Sequence, residues 1–435
     1  MEEITGKIQI SSPQFAELQK RVKNIAEFQK ECQDSLAKKT TELLEIIVGG
    51  GLTLNASDIH LEPQEENAKI RVRVDGILQD VIAIDRAVYE AVLARIKLLS
   101  GLKLNIANRP QDGRFSVLLP PETDNLVIEV RTSTLPAEKG EAIVLRLLNP
   151  KSLIGMEKLG LRKDLLEIFK REIRKPNGMV IVTGPTGSGK TTTLYAFLKE
   201  IQKPEIKIIT IEDPIEYHLK GVSQTQVASE KGYDFASGLK SIMRQDPDVI
   251  LVGEIRDLET VETALQAALT GHLVLTTLHT NDAAGTVARL TNLGAKPSNI
   301  GPAVNLAVAQ RLIRQICPKC GQLKKISAQD LQKIKKELQG VPQSVKIPKL
   351  SPDLKIPQIK GCKICNSTGY KGRIGIFEGF LMDEEVERFV LANPSIAALR
   401  KKAMDNGMVS MKQDGFIKVL EGMSTLAEVE RVTGE

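Results

Sequence analysis

The stretch Gly184-Pro185-Thr186-Gly187-Ser188-Gly189-Lys190-Thr191 constrains this chain more than any other, because of what flanks it. The apolar run Met179-Val180-Ile181-Val182 precedes it, and a helix-compatible segment follows through Lys199. Glycines at this spacing let successive backbone N–H groups turn inward around a triphosphate. Lys190 has the reach for the β and γ phosphates, and the Thr191 hydroxyl can hold Mg²⁺, with Thr192 beside it in the same cradle. A strand, a phosphate loop and a helix in that order commit the surrounding residues to an α/β layer and make ATP the expected ligand.

The rest of the chain agrees with such a layer. Apolar runs at 179–183, 206–211, 249–253 and 273–277 alternate with helical patterns, which predicts a mainly parallel sheet covered on both faces. Before it, residues 57–148 alternate apolar and charged residues in short runs around a helix at 87–99, as a small α+β domain would. Phe15, Leu18, Val22, Ile25 and Cys32 fall on one face of a helix, to be packed on their own chain or against a subunit or membrane partner. The predicted organisation is an amphipathic segment at 1–40, a small α+β domain at 41–150, a nucleotide domain at 151–315, a cysteine region at 316–372 and a helical region at 373–435.

Acidic residues sit where strands of such a sheet end. Glu212, after the run 206–211, is placed to bind Mg²⁺ directly or through water. Glu254, after Asp248-Val249-Ile250-Leu251-Val252-Gly253, is assigned as the carboxylate that positions or activates the attacking water. His279 closes the strand that begins near His272, and either senses the γ-phosphate or hydrogen-bonds Glu254; a core or capping histidine is the plainer alternative.

Cys317-Pro-Lys-Cys320 and Cys362-Lys-Ile-Cys365 have the spacing of two knuckles that share one Zn²⁺; inert or redox-active thiols are the alternative. Four thiolates leave no open coordination position, so the zinc role is structural. The lone Cys32 reads as a small buried hydrophobe. The net charge of +6 traces to 323–360, where nine lysines face three acidic residues. That segment reads as a solvated excursion with a short helix, or as a surface attracted to anionic lipid. With 3% aromatics and no Trp, a stacking platform for single-stranded nucleic acid is disfavoured. No apolar run reaches the ~18 residues of a membrane span, and Met1-Glu2-Glu3 is unlike a secretory leader, so the expected location is the cytoplasm.

Taken in order, Ala56-Ser57-Asp58-Ile59-His60-Leu61-Glu62-Pro63, Arg71-Val72-Arg73-Val74-Asp75-Gly76, Arg109-Pro110-Gln111-Asp112-Gly113-Arg114, the boxes around Glu212, Glu254 and His279, the paired cysteines and Gly369-Tyr370-Lys371-Gly372-Arg373-Ile374-Gly375 resemble the type II secretion and type IV pilus assembly ATPases. The resemblance implies a RecA-like core in a cytoplasmic homo-hexamer, peripheral to the inner membrane beneath a platform protein, with no nucleic-acid ligand. It implies that the smaller domain closes over the nucleotide, with Arg114 and Arg131 as its phosphate-facing cations. Arg244 matches an arginine of the family, whereas Lys240 replaces one and lacks the bidentate fork. The cysteine quartet favours assembly or secretion motors over retraction motors. Against the family pattern, the large N-terminal partner-binding domain is expected to be missing.

Overall fold

A computed structural model describes residues 6–120, 126–150 and 153–434. The chain divides into two units, one built on residues 1–152 with 317–320 and 360–371, the other on the remainder. The first begins with a strand, Lys7–Gln9 (β1), and two helices, Ser12–Arg21 (α1) and Ile25–Gln33 (α2). The single amphipathic helix expected here is interrupted because Asn24 caps α2, its side chain accepting the Glu27 N–H, while Val22 turns extended. Phe15, Leu18, Val22 and Cys32 are buried in this unit's own core, so the apolar stripe is occupied by its own chain. Burial pushes the Cys32 thiol up to about 12.

Helix Thr40–Thr53 (α3) leads into Asp58–Pro63 (β2), Asn67–Val74 (β3), Ile77–Asp85 (β4), Arg86–Leu99 (α4), Gln111–Leu118 (β5), Val127–Ala137 (β6) and Gly140–Leu148 (β7). The strands form one sheet in the order β1-β5-β6-β7-β2-β3-β4, antiparallel apart from β1 beside β5. Alternation buries Ile59, Leu61, Ile70, Val72, Val130 and Leu145 on one face. In register on the other lie Arg114, Arg131, Arg146, Asp58 and Arg73, from β5 across to β3. A buried ion pair braces the unit: Lys97 Nζ meets Glu141 Oε2 at 2.7 Å and also donates to Ile106 O at 2.7 Å. Both side chains are nearly inaccessible, which makes either one costly to remove alone.

The second unit contains Lys163–Glu172 (α5), Gly178–Thr183 (β8), Lys190–Ile201 (α6), Ile208–Glu212 (β9), Ser223–Gln226 (β10), Phe235–Met243 (α7), Val249–Val252 (β11), Leu258–Leu269 (α8) and Leu273–Leu278 (β12). It continues through Gly285–Asn292 (α9), Pro297–Ala303 (α10) and Val304–Ile316 (β13). The sheet order is β10-β9-β11-β12-β8-β13, with Tyr370–Leu381 beyond β13, and the six strands from β10 to β13 are parallel. The apolar runs of β8, β9, β11 and β12 are buried on both faces, as crossover helices require, whereas the polar edge strand β10 is not. The lysine-rich segment folds as Gln322–Lys325 (β14), Ala328–Glu337 (α11) and Lys355–Gln358 (β15), with Leu331 and Ile334 buried beneath exposed lysines. After Tyr370–Leu381 (β16) come four helices, Glu384–Leu391 (α12), Ile396–Asp405 (α13), Met411–Leu420 (α14) and Leu426–Thr433 (α15). Among the described residues, no helix is long and apolar enough to cross a membrane.

The Glu428 carboxylate ties helix α15 to β13, beside a bond from Arg311 to Val432 O. Burial raises the Glu428 pKa, but hydrogen bonds from Arg431 and Arg314 outweigh it and hold the group at about 2. The folded value lies below the ordinary ~4.3 of a glutamate, so the contribution, about 3 kcal/mol, is complete above that value and fades as pH falls toward 2. The urea midpoint of the parent should therefore exceed that of Glu428→Gln at pH 6, and the gap should close between pH 4.5 and 2. A gap that stays constant through that window would rule the linkage out.

Candidate functional site

The phosphate loop joins the end of β8 to the start of α6, and one residue of β13 shapes it. Gln310 is buried; its Nε2 donates to Ser188 O at 2.8 Å and its Oε1 accepts the Thr193 hydroxyl at 2.7 Å. A Cβ at Gly184 would come within 2.4 Å of Gln310 O, and one at Gly189 within 2.8 Å of Gln310 Nε2. Gly184 has φ +148° and Gly189 φ +89°, so the glycines are required both by backbone conformation and by this close approach. Sequence reasoning missed Gln310, because a lone glutamine in an apolar run carries no motif.

Three features of the loop fit a triphosphate. Ser188 Oγ is buried with no hydrogen-bond partner among the described residues, a donor held ready for an anion. Gly189 caps α6, so the first-turn N–H groups of Lys190, Thr191 and Thr192 face the loop, where the positive end of the helix dipole lies. Lys190 Nζ donates to Gly184 O at 2.8 Å and Pro185 O at 3.2 Å, within the turn it would share with phosphate oxygens. Burial lowers the Lys190 pKa, and the Glu254 carboxylate opposes that shift.

Glu254 stands on a loop clamped between two strand ends. The Gly253 N–H donates to Ile211 O at 2.8 Å, the Thr277 hydroxyl to Gly253 O at 2.7 Å and the Ile255 N–H to Thr277 O at 3.2 Å. A Cβ at Gly253 would lie 3.3 Å from Glu212 Cα, which accounts for the glycine ahead of the acid. The carboxylate itself is held from both sides: Oε1 accepts from Arg256, and Oε2 lies 3.5 Å from His279 Nε2. Burial and the Lys190 charge lower the His279 pKa, against the Glu254 carboxylate. Arg256 also faces Asp213 at 3.6 Å.

Glu212 has a different environment from the one its position at a strand end implied. It is buried, its Oε2 accepts the Tyr195 hydroxyl at 2.5 Å, and its Oε1 accepts Thr210 Oγ1 at 2.6 Å and Gln224 Nε2 at 3.2 Å. A direct Mg²⁺ contact would compete with these bonds, whereas one through water would leave them in place; the carboxylate joins α6 to β10 beside the loop. Burial raises its pKa against those three donors. Arg244 caps α7 and folds back on it, donating to Lys240 O at 3.0 Å and Ser241 Oγ at 3.2 Å. Lys240 pairs with Glu259 of α8 at 2.5 Å. Lys190, Glu254 and His279 are thus brought together, Arg244 is engaged by its own helix, and Arg114 and Arg131 pair across β5 and β6 of the first unit.

The four cysteine sulfurs of the knuckles lie within 4.8 Å of one another, a donor set that fits one tetrahedral Zn²⁺. Asn366 and Ser367 take left-handed conformations in the second knuckle, and a Cβ on Gly361 would come within 2.6 Å of Ser367 O. The Cys362 and Gly369 N–H groups donate to Cys365 Sγ at 3.2 and 3.3 Å, as donors to a thiolate would. Both knuckles group with the first unit, although the chain reaches them from β13 and leaves them into β16. The Ile25 N–H at the start of α2 donates to Asn366 Oδ1 at 2.8 Å.

A model of the Type II/IV secretion system protein family matches residues 33–431. Type II secretion system protein E of Aeromonas hydrophila is 41% identical over 394 residues, covering 90% of this chain and 75% of its own. The type IV pilus assembly ATPase PilB of Myxococcus xanthus is 39% identical over 412 residues, covering 93% and 69%. Among solved structures, the pilus retraction motor PilT with bound ADP aligns at TM-score 0.58 and 27% identity over 89% of this chain and 96% of its own. The Legionella pneumophila ATPase DotB shares the fold at TM-score 0.64 and 22% identity, over 91% and 96%.

Proposed function

The chain belongs to the Type II/IV secretion system protein family, and from that membership we propose that it is a Mg²⁺-dependent, hexameric ATPase motor. Its output is assembly of a type IV pilus or a type II secretion pseudopilus, worked from the cytoplasmic side of the inner membrane against a platform protein.

One observation carries the hydrolytic part of the reading. Glu254 is clamped between Arg256 and His279 near the Lys190 ammonium, which is the set needed to hold a water against a γ-phosphate. The phosphate loop binds ATP through its N–H groups and Lys190. Glu254 accepts a hydrogen bond from the water, which attacks phosphorus as the bond to the ADP oxygen breaks, and its carboxylate receives the proton. His279, beside Glu254, keeps the acid's orientation. Mg²⁺, held by Thr191 and through water by Glu212, would neutralise charge on the β and γ oxygens, and Glu212 joins α6 and β10 through Tyr195 and Gln224. Arg114 and Arg131 are proposed as further phosphate cations, and Zn²⁺ as the structural ion of the knuckles.

Purified full-length chain should release phosphate from ATP only when Mg²⁺ is added, and should sediment as a six-subunit particle with nucleotide. Added single- or double-stranded DNA should leave the rate unchanged. Severalfold stimulation with a steep inverse salt dependence would instead identify a nucleic-acid translocase.

A further inference from the structure

Glu378 on β16 is buried, and its two oxygens serve different elements. Oε1 accepts the Ala283 N–H at 2.9 Å, and Oε2 accepts the Met411 N–H at 2.9 Å. Ala283 ends the loop that starts at His279, and Met411 is the first residue of α14. Each oxygen faces its own backbone donor, so an amide would turn its NH₂ against one of them, which explains a carboxylate at this position.

The loop between those ends is tied at both sides. The Thr280 N–H donates to Thr183 Oγ1 at 2.8 Å, and Thr183 immediately precedes Gly184 of the phosphate loop. Thr280 Oγ1 donates to Asp282 O at 2.8 Å, and Asp282 Oδ1 accepts the Gly285 N–H at 2.7 Å. Asp282 Oδ2 pairs with Arg400 of α13. Beyond Glu378, α14 is braced by Asp414, which is buried, accepts the Phe377 N–H at 2.8 Å and pairs with Arg162 at 3.0 Å and Lys418 at 2.6 Å. A shift of the histidine loop therefore meets a connected series of hydrogen bonds and ion pairs, with no flexible linker between Ala283 and α14.

We propose that Glu378 is a positioning residue that couples the histidine loop to α14, so that rearrangement around His279 during ATP turnover reaches the C-terminal helices. The Asp282–Arg400 pair is a second strand of the same coupling. This rests on the reading of Lys190, Glu254 and His279 as a hydrolytic site.

Glu378→Gln preserves the shape but offers one acceptor oxygen, so one arm of the bridge is lost. In the full-length chain, kcat should fall about five- to tenfold while KM for ATP stays within about twofold, as loss of a coupling free energy of ordinary size predicts. In the parent, Mg²⁺ with a non-hydrolysable ATP analogue should change amide exchange across 411–420, and in Glu378→Gln that response should disappear. A defect confined to stability would not remove the nucleotide response. If Glu378→Gln does not fold, Met411→Pro decides with the same two readouts, since it removes the N–H that Oε2 accepts at a first helical position where proline is tolerated. Retention of either the parent kcat or the nucleotide response in the deciding variant overturns the inference, as does a parent whose 411–420 exchange ignores nucleotide. A parent that hydrolyses no ATP would instead overturn the reading of the site.

Discussion

Glu254→Gln should retain ATP and lose turnover. The amide has the size of the acid and can still accept from Arg256 through its one oxygen, so the loop clamped by Ile211 and Thr277 keeps its path. What it cannot do is accept a proton. General-base assistance contributes on the order of 10²- to 10⁴-fold, and the rate should fall by that factor. Binding should hold or tighten, because removing one negative charge near Lys190 reduces repulsion of the triphosphate. The measurement is single-turnover phosphate release beside equilibrium binding of a fluorescent ATP analogue. Parent-like hydrolysis would remove Glu254 from the catalytic assignment, and loss of binding with loss of rate would make it a residue of the cradle.

The contrast between Glu254 and Glu212 shows what was legible in the sequence. Glu212 ends β9 and Glu254 follows the end of β11 by one glycine, so strand periodicity places both at the carboxyl edge of the sheet, where ligands bind. Periodicity does not say what else points at them. Tyr195 and Gln224 reach Glu212 from α6 and β10 without any motif to mark them, whereas Glu254 is met by His279, which closes a visible strand, and by its near neighbour Arg256. The phosphate loop was readable because its constraint is local, yet Gln310, which makes two of its glycines necessary, belongs to a strand more than a hundred residues away.

The same division holds for the fold. Strands β8, β9, β11 and β12 were visible as apolar runs, since burial on both faces leaves no competing pattern. Strand β5 was hidden by Asp112-Gly113, which reads as a turn. There the glycine is required instead because a Cβ would meet Ser100 O at 2.3 Å. Strand β4 was hidden because the register against β3 shifts at Ile70/Arg71, which breaks the alternation on which strand assignment depends.

Metal removal is expected to have the largest structural effect, and the knuckles' placement says where it will appear. A structural zinc site contributes on the order of 10 kcal/mol to the fold it closes, comparable to the whole stability of a domain. Without the cation, four thiolates within 4.8 Å of one another take up protons, the metal bonds that close both turns are lost, and the turns should open. Fast amide exchange should follow at 317–320 and 360–371, and also at Ile25, because its N–H is satisfied by Asn366 Oδ1. α2 should lose protection at its first turn for a reason its own sequence does not contain. Cys362→Ser should reproduce the pattern without chelator. ATP affinity should stay within about twofold, since Gln310, Lys190 and Ser188 are held by contacts that do not pass through the cysteines. The full-length chain should carry one zinc per subunit by atomic absorption. Unchanged exchange at Ile25 on chelation would show that the knuckles do not brace α2, and a collapse of ATP affinity would mean that they support the phosphate loop after all.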